Sequence, residues 1–399
     1  MSKMSRRLFR TPIVTAASLF FLAASLLAWP AAVSAAAIGG VPGIETEAKQ
    51  AIIVDFDTGA VLLEKNADQE MTPSSMSKLM TVYLVFDRLK QGSLKESDKF
   101  VVSETAWKKN YKSGGSLMFL PVGARVSVGD LLRGVIVQSG NDACSVLAEG
   151  IAGSEDAFAA LENKKAAEIG LTHSTFKNAS GWPEPGHEMT ARDLATLARR
   201  LILDFPEYYP IFKDIDFTYN GIKQGNRNPL LYANLGADGL KTGHTEAGGY
   251  GLTGSAVRDG RRIIIVLNGL PTMRSRSEES ARLLEWAFHS FEDVRLVKAG
   301  DAVGNAPVAM GTATVVPAVA DREVEATIPS GTRKEVSTTA TYLSPLPAPV
   351  KKGQRVGTLT VTAPGQTPIA VPLVAGADVA RLNWLGRFGV TLQNLLRGH

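Results

Sequence analysis

The sequence predicts an α+β protein: a central antiparallel sheet flanked by helices, with an inserted helical lobe, followed by a small all-β domain and a C-terminal amphipathic helix. Three observations predict it. Runs with a two-residue apolar period open and close the stretch from about 50 to 290, and helical runs fill the middle. From about Val294 to Ala375 the texture changes to short alternating runs punctuated by Gly and Pro. The last twenty residues carry apolar side chains at steps of three and four.

The chain has 399 residues, 45% of them hydrophobic and 21% charged, which is too long for one ordinary core and implies two domains. The net charge is +4, yet Lys3, Arg6, Arg7 and Arg10 lie in the first forty residues, which hold no acid. Without that segment the chain is neutral, so its charge is no argument for nucleic-acid binding. A single cysteine, Cys144, excludes an internal disulfide and offers no zinc set, and no H-E-x-x-H spacing occurs. No metal and no cofactor are expected.

Residues 1–36 read as a signal peptide: a basic start, an apolar run from Ile13 to Leu27, Pro30, then the small residues Val33-Ser34-Ala35. Ser5-Arg6-Arg7-Leu8-Phe9 also resembles a twin-arginine signal. At the other end, residues 378–399 form a helical pattern with Leu382, Leu385, Phe388, Leu392 and Leu395 on one face and Arg381, Arg387 and Arg397 among them. Such a helix either lies in the plane of an anionic membrane surface or docks on its own domain.

Between the ends, Ala51–Asp55 and Ala60–Leu63 flank Asp57-Thr58-Gly59 as a hairpin. Thr72-Pro73 is expected to cap and open a helix reaching about Lys90. Helices are expected from Ser127 or Asp130, broken at Ser139–Asp142 and resumed through Leu147. Others should run from Ser154 to Gly170 and from a capping box at Thr190–Asp193 to near Pro206. Gly239–Thr242 is a short strand, and Tyr250–Val257 pairs with Arg262–Leu267 across Asp259-Gly260. A last helix is expected to be capped at Ser275-Arg276-Ser277-Glu278. The β domain then shows strands at 323–328, 338–343 and 356–361.

Three motifs carry chemistry: Ser75-Met76-Ser77-Lys78, Ser139-Gly140-Asn141 and Lys241-Thr242-Gly243. At a helix start, unpaired N–H groups near Ser75 favour a developing oxyanion. Lys78, three residues on, shares that face and is placed to take the Ser75 proton once desolvation and a second cation lower its pKa. Lys241 is the source expected for that second charge. Ser139 has a hydroxyl suited to relay a proton to a leaving amine, and Asn141 to orient Lys78 and a substrate amide. Thr242 and Gly243 offer a strand edge on which a peptide adds as a further strand. Ser77 and Ser74 do not share the spacing of Ser75 to Lys78.

In this order the motifs match the penicillin-recognising serine enzymes. Longer stretches resemble the low-molecular-weight D-alanyl-D-alanine carboxypeptidases of peptidase S11 type: Gly115–Leu120, Gly134–Cys144, Asn226-Arg227-Asn228 and Asp238–Thr245. The resemblance runs from about Ile44 to Phe291, continues loosely at Lys351–Gly357, and ends in a helix like that family's membrane-binding one. It implies a transpeptidase-like domain at 40–292, a β-rich domain at 293–376 and a membrane-associating helix at 378–399. It further implies an enzyme that removes the terminal D-alanine from peptidoglycan stem pentapeptides through an acyl-enzyme on Ser75, is inhibited by β-lactam antibiotics, and sits on the periplasmic face of the inner membrane. By match of motif, the His244 amide is a second oxyanion donor, and Arg227 and Arg276 receive the substrate carboxylate.

Departures are equally visible. The middle motif is Ser-Gly-Asn rather than Ser-Asp-Asn, and no Glu-x-x-Leu-Asn lies between it and Lys241. A penicillin acyl-enzyme is therefore expected to persist. His187 falls at an unexpected spacing and reads as a surface-loop residue without a role. The alternatives are a D,D-endopeptidase or weak β-lactamase of the same fold, or a non-catalytic cell-wall binding protein.

Overall fold

The computed structural model describes residues 36–37, 43–364 and 368–397. The expected signal peptide lies outside the described residues, apart from Ala36. A short strand β1 (Ala36–Ala37) pairs antiparallel with β3 (Val61–Lys65), which forms the expected hairpin with β2 (Gln50–Asp55). The Asp55 carboxylate secures that turn by accepting from the N–H groups of Asp57 and Thr58 at 3.1 and 3.0 Å.

The helix expected from Thr72 differs in its start. Ser74–Ser77 forms a 3-10 turn without a side-chain cap, and α1 (Lys78–Lys90) follows. Ser74 takes a positive φ of 52°. Its hydroxyl shares a 2.8 Å hydrogen bond with Thr245, so tertiary partners replace the expected Thr72 cap.

The lobe comprises β4 (Lys99–Val101), α2 (Glu104–Tyr111), β5 (Arg125–Ser127), α3 (Val128–Ile136), α4 (Asn141–Ala152), α5 (Glu155–Glu168) and α6 (Ala191–Asp204). Of the two starts offered for α3, Ser127 is its cap; Ser154, where α5 was expected to begin, caps that helix, and Thr190 caps α6 as read. Only half of the box at Thr190 forms: the Asp193 carboxylate instead accepts from the His173 N–H and the Ser174 hydroxyl at 2.9 and 2.7 Å. A hairpin of β6 (Asp216–Tyr219) and β7 (Ile222–Gly225) was not anticipated, although Asn220-Gly221, both at positive φ, is a turn signal of the right kind.

Strands β8 (Ala237–Thr245), β9 (Gly249–Arg258) and β10 (Arg261–Leu270) complete a six-stranded antiparallel sheet ordered β1-β3-β2-β10-β9-β8. The final helix, α7 (Met273–Ser290), begins earlier than expected. Thr272 is its cap, and Ser275 answers it from the third helical position.

Alternation along β10 sorts the core. Ile264 and Val266 face the cluster built on α1 and α6, while Ile263, Ile265 and Leu267 face Leu283, Leu284 and Ala287 of α7. The sheet is thus covered on both faces, and among the described residues its one long free edge is β8.

Strand β11 (Phe291–Val297) follows α7 directly, then β12 (Ala302–Ala309), β13 (Val315–Ala320), β14 (Val324–Pro329), β15 (Ser337–Tyr342), β16 (Leu346–Pro347), β17 (Arg355–Thr362) and β18 (Ile369–Ala375). They form one sheet ordered β15-β17-β18-β13-β12-β16 and the ribbon β11-β14. Phe291, the first residue of β11, already pairs with Pro329 of β14. The junction is ionic: Arg261 Nε lies 3.0 Å from both Asp55 and Asp293.

The C-terminal helix, α8 (Trp384–Arg397), starts six residues later than expected, because Val379 and Arg381 are held in bridges to Val350 and Gly311. Trp384, Leu385 and Phe388 stand exposed on it. Among the described residues no helix is long and apolar enough to cross a membrane.

Candidate active site

A cleft of about 1190 Å³ lies where the lobe meets the β8 edge, and eight of the ten residues singled out from the sequence line it: Ser75, Ser139, Asn141, Arg227, Thr242, Gly243, His244 and Arg276. The other two, Lys78 and Lys241, are buried at 0% and 3% exposure.

The 3-10 turn carrying Ser75 is clamped from two sides. A β-carbon on Gly243 would sit 2.9 Å from the Pro73 carbonyl oxygen and 3.1 Å from Met76 Cγ, so only glycine lets β8 approach this closely. On the far side Gly181, at φ +71°, passes so near that a β-carbon would meet the Ser74 carbonyl oxygen.

Lys78 Nζ is 2.8 Å from Ser75 Oγ and 2.7 Å from Asn141 Oδ1, and it also donates to the Ser180 carbonyl. Burial brings its pKa down to about 8, and the positive charge of Arg227 adds to that, against an opposing pull from Asp142 and Glu155. Lys241 is pushed well below the ordinary lysine range by burial first, then by the charges of Lys78, Arg227 and Arg276. Its Nζ donates to the Thr242 carbonyl at 3.2 Å.

Ser139 and Asn141 sit at the break between α3 and α4. Ser139 takes a left-handed φ of 59°, a conformation unusual for a serine. A β-carbon on Gly140 would meet Asp142 Oδ1 at 2.9 Å and the Met118 nitrogen at 3.0 Å. Asp142 itself accepts from the N–H groups of Met118 and Leu120 at 2.8 and 3.1 Å, and Asn141 N–H donates to the Ser116 carbonyl. One buried carboxylate thereby fastens the Gly115–Leu120 segment to the rim.

At the other end, Arg276 is buried to 5% exposure beneath Tyr250, with its guanidinium 5.7 Å from that ring. Its Nε–H has no partner among the described residues. The His244 ring stacks on Tyr250 with their centres 3.9 Å apart. Arg227 is exposed at the rim and donates to Ser116 Oγ.

Three features were missed by reading the sequence. Ser180 contributes a backbone carbonyl, which has no side-chain signature. Trp182, 42% exposed, lines the cleft opposite Gly115, whose added β-carbon would meet it at 2.8 Å. His187 is buried at 3% exposure rather than lying on a surface loop, because its Nδ1 accepts from the Lys177 N–H at 3.1 Å and its ring packs edge-on against Phe176.

Comparison with known proteins gives the family. Residues 34–272 match the family model for D-alanyl-D-alanine carboxypeptidase, and residues 291–381 match that for the C-terminal domain of penicillin-binding protein 5. The chain is 40% identical over 356 residues to the D-alanyl-D-alanine carboxypeptidase DacA of Escherichia coli K12, covering 88% of this chain and 87% of that protein. It is 41% identical over 345 residues to DacC of the same organism, covering 86% of each. Penicillin-binding protein 5 of Haemophilus influenzae superposes with a TM-score of 0.77 at 38% identity, over 86% of this chain and 100% of that one. Penicillin-binding protein D2 of Listeria monocytogenes, solved in an ampicillin-bound form, superposes with a TM-score of 0.56 at 30% identity, over 62% of this chain and all of that one. The chain belongs to the D-alanyl-D-alanine carboxypeptidase family of penicillin-binding proteins.

Proposed function

We propose that this protein removes the C-terminal D-alanine from peptidoglycan stem peptides, with Ser75 as nucleophile and Lys78 as its base. The observation that carries the reading is the set of partners around Lys78 Nζ. Two of the three, Asn141 Oδ1 and the Ser180 carbonyl, only accept. A neutral amine gives its two N–H bonds to them and turns its lone pair toward the third, Ser75 Oγ, 2.8 Å away. The same three acceptors also satisfy an ammonium; burial favours losing its proton, and the amine that results stands in the orientation of a base.

In the forward step Lys78 takes the Ser75 proton while Oγ bonds to the carbonyl carbon of the penultimate D-alanine. The amides of Ser75 and His244 receive the oxyanion. The C–N bond then breaks, the departing amine is protonated through Ser139, and D-alanine leaves. Water hydrolyses the ester and restores Ser75. Thr242 and Gly243 on the free edge of β8 hold the peptide as an added strand. Arg276, whose buried Nε–H lacks a partner among the described residues, receives the terminal carboxylate with Arg227 at the rim.

The test is release of D-alanine from a diacetylated Lys-D-Ala-D-Ala peptide, with Ser75→Ala as control. Release that is lost in the variant supports the assignment. Release that survives it overturns Ser75.

The same site should be acylated by β-lactams, and with no Glu-x-x-Leu-Asn motif the adduct should be long-lived. Rapid turnover of a penicillin would contradict this. We further infer export by residues 1–36 and attachment to the inner-membrane surface through α8, supported by the bare Trp384, Leu385 and Phe388 and by the arginines among them. Removing residues 378–399 should move the protein from the membrane to the soluble fraction.

A further inference from the structure

Beneath the site lies a buried carboxyl that the reaction above does not use. Glu162 on α5 is fully buried, as is Thr81 on α1, one helical turn past Lys78. Thr81 Oγ1 is 2.9 Å from Glu162 Oε1 and 2.7 Å from the carbonyl oxygen of Ala179. A hydroxyl has one proton, and the Ala179 carbonyl can only accept it. Were Glu162 ionised, two acceptors would compete for that proton, and a buried negative charge would face Oε2 with no partner among the described residues. With the proton on Oε1, every contact is satisfied in sequence: Glu162 donates to Thr81, and Thr81 donates to Ala179.

Ala179 precedes Ser180, whose carbonyl accepts from Lys78. We propose that Glu162 is a neutral carboxylic acid that acts as a positioning residue, locking the Ala179–Gly181 segment to α1 through Thr81 and thereby setting Lys78 against Ser75. The inference rests on the reading of Lys78 as the base. The groups near Glu162 agree with a neutral acid: Glu155 on its own helix disfavours a second negative charge there, the Cys144 thiol on α4 is held protonated by burial, and Lys78 on α1 spends its N–H bonds elsewhere. Burial pushes the Glu162 carboxyl well above the usual range.

The test combines a spectroscopic and a kinetic readout on the full chain. The infrared difference spectrum of wild type minus Glu162→Gln at pH 7 should show a protonated-carboxyl stretch. A carboxylate band in its place would overturn the proposal. In Glu162→Gln the amide still donates to Thr81, so the pH profile of Ser75 acylation by a fluorescent penicillin should superimpose on that of wild type. In Glu162→Leu acylation should slow by about tenfold, the size of one lost hydrogen bond near a charged group, and the profile midpoint should move. Because the leucine variant risks misfolding, Thr81→Val provides the same break within a smaller change, and Thr81→Ser should restore the rate. Wild-type rate and midpoint in both Glu162→Leu and Thr81→Val, or a glutamine variant as slow as the leucine one, would sink the idea. A wild-type protein that shows the acid band but is not labelled would refute the base reading, and the positioning role with it.

Discussion

The α-carbon of Gly243 packs so tightly beside Pro73 that an added β-carbon would lie 2.9 Å from the proline carbonyl oxygen. The β8 edge and the turn that carries Ser75 therefore touch backbone to backbone. Gly243→Ala should push the two apart, costing roughly 1–3 kcal/mol as an overpacked contact and slowing acylation. Gly181→Ala should be worse, since it adds a left-handed alanine to the clash with Ser74. Thermal unfolding and the penicillin acylation rate measure both. An alanine at Gly243 that leaves the two unchanged would disprove the close contact.

Lys78 has a pKa of about 8, so its base form is scarce at acid pH and grows as the pH rises. The acylation rate should climb with pH and level off above about 8. Lys78→Arg keeps a cation but cannot release its proton, and should lose roughly 10²–10⁴-fold in rate, the usual contribution of a positioned base. A flat profile between pH 6 and 9 would remove Lys78 from the role.

Arg276 is a buried cation whose Nε–H lacks a partner among the described residues. Arg276→Ala should reduce kcat/KM for a peptide with a free C-terminal carboxylate by about 10–100-fold, as for a lost charge-assisted hydrogen bond. It should barely alter the reaction of the C-terminal amide. Equal losses on both substrates would show that the arginine serves structure instead.

His187 is pushed down to about 4, chiefly by burial, with Lys78 and Lys177 adding to it. Its folded-state pKa is below its unfolded one, so its contribution is fully present above about 6.5 and disappears as the pH falls toward 4. Protonating Nδ1 also breaks the bond from the Lys177 N–H. His187→Asn should therefore flatten the acid loss of stability by about 3 kcal/mol between those limits. Urea unfolding at pH 7 and pH 4.5 gives the comparison, and an unchanged pH slope would rule the histidine out.

Local chemistry explains what could be read ahead of the fold. The Asp259-Gly260 turn and the caps at Ser127, Ser154 and Thr190 depend on neighbouring residues alone, and all form where read. The start of α1 and the start of α8 did not, because Thr245 and Gly181 hold the Ser75 turn and because Val350 and Gly311 bridge the residues before Trp384. In both places a partner distant in sequence overrides the local preference. The Asn220-Gly221 hairpin was legible and was passed over.

By itself the sequence determined the reaction class to expect, since Ser75, Lys78, Ser139, Asn141 and Lys241 carry their chemistry in side chains at recognisable spacings. It also determined the two-domain order and the apolar face of the last helix. Only the tertiary structure decided what makes those residues work together. The Ser180 carbonyl at Lys78, the backbone contact of Gly243 with Pro73 and the Thr81–Glu162 hydrogen bond join residues tens to hundreds of positions apart, and packing leaves buried Arg276 Nε without a partner among the described residues. Burial, carbonyl direction and unmet hydrogen bonds are properties of packing, and no residue type announces them in advance.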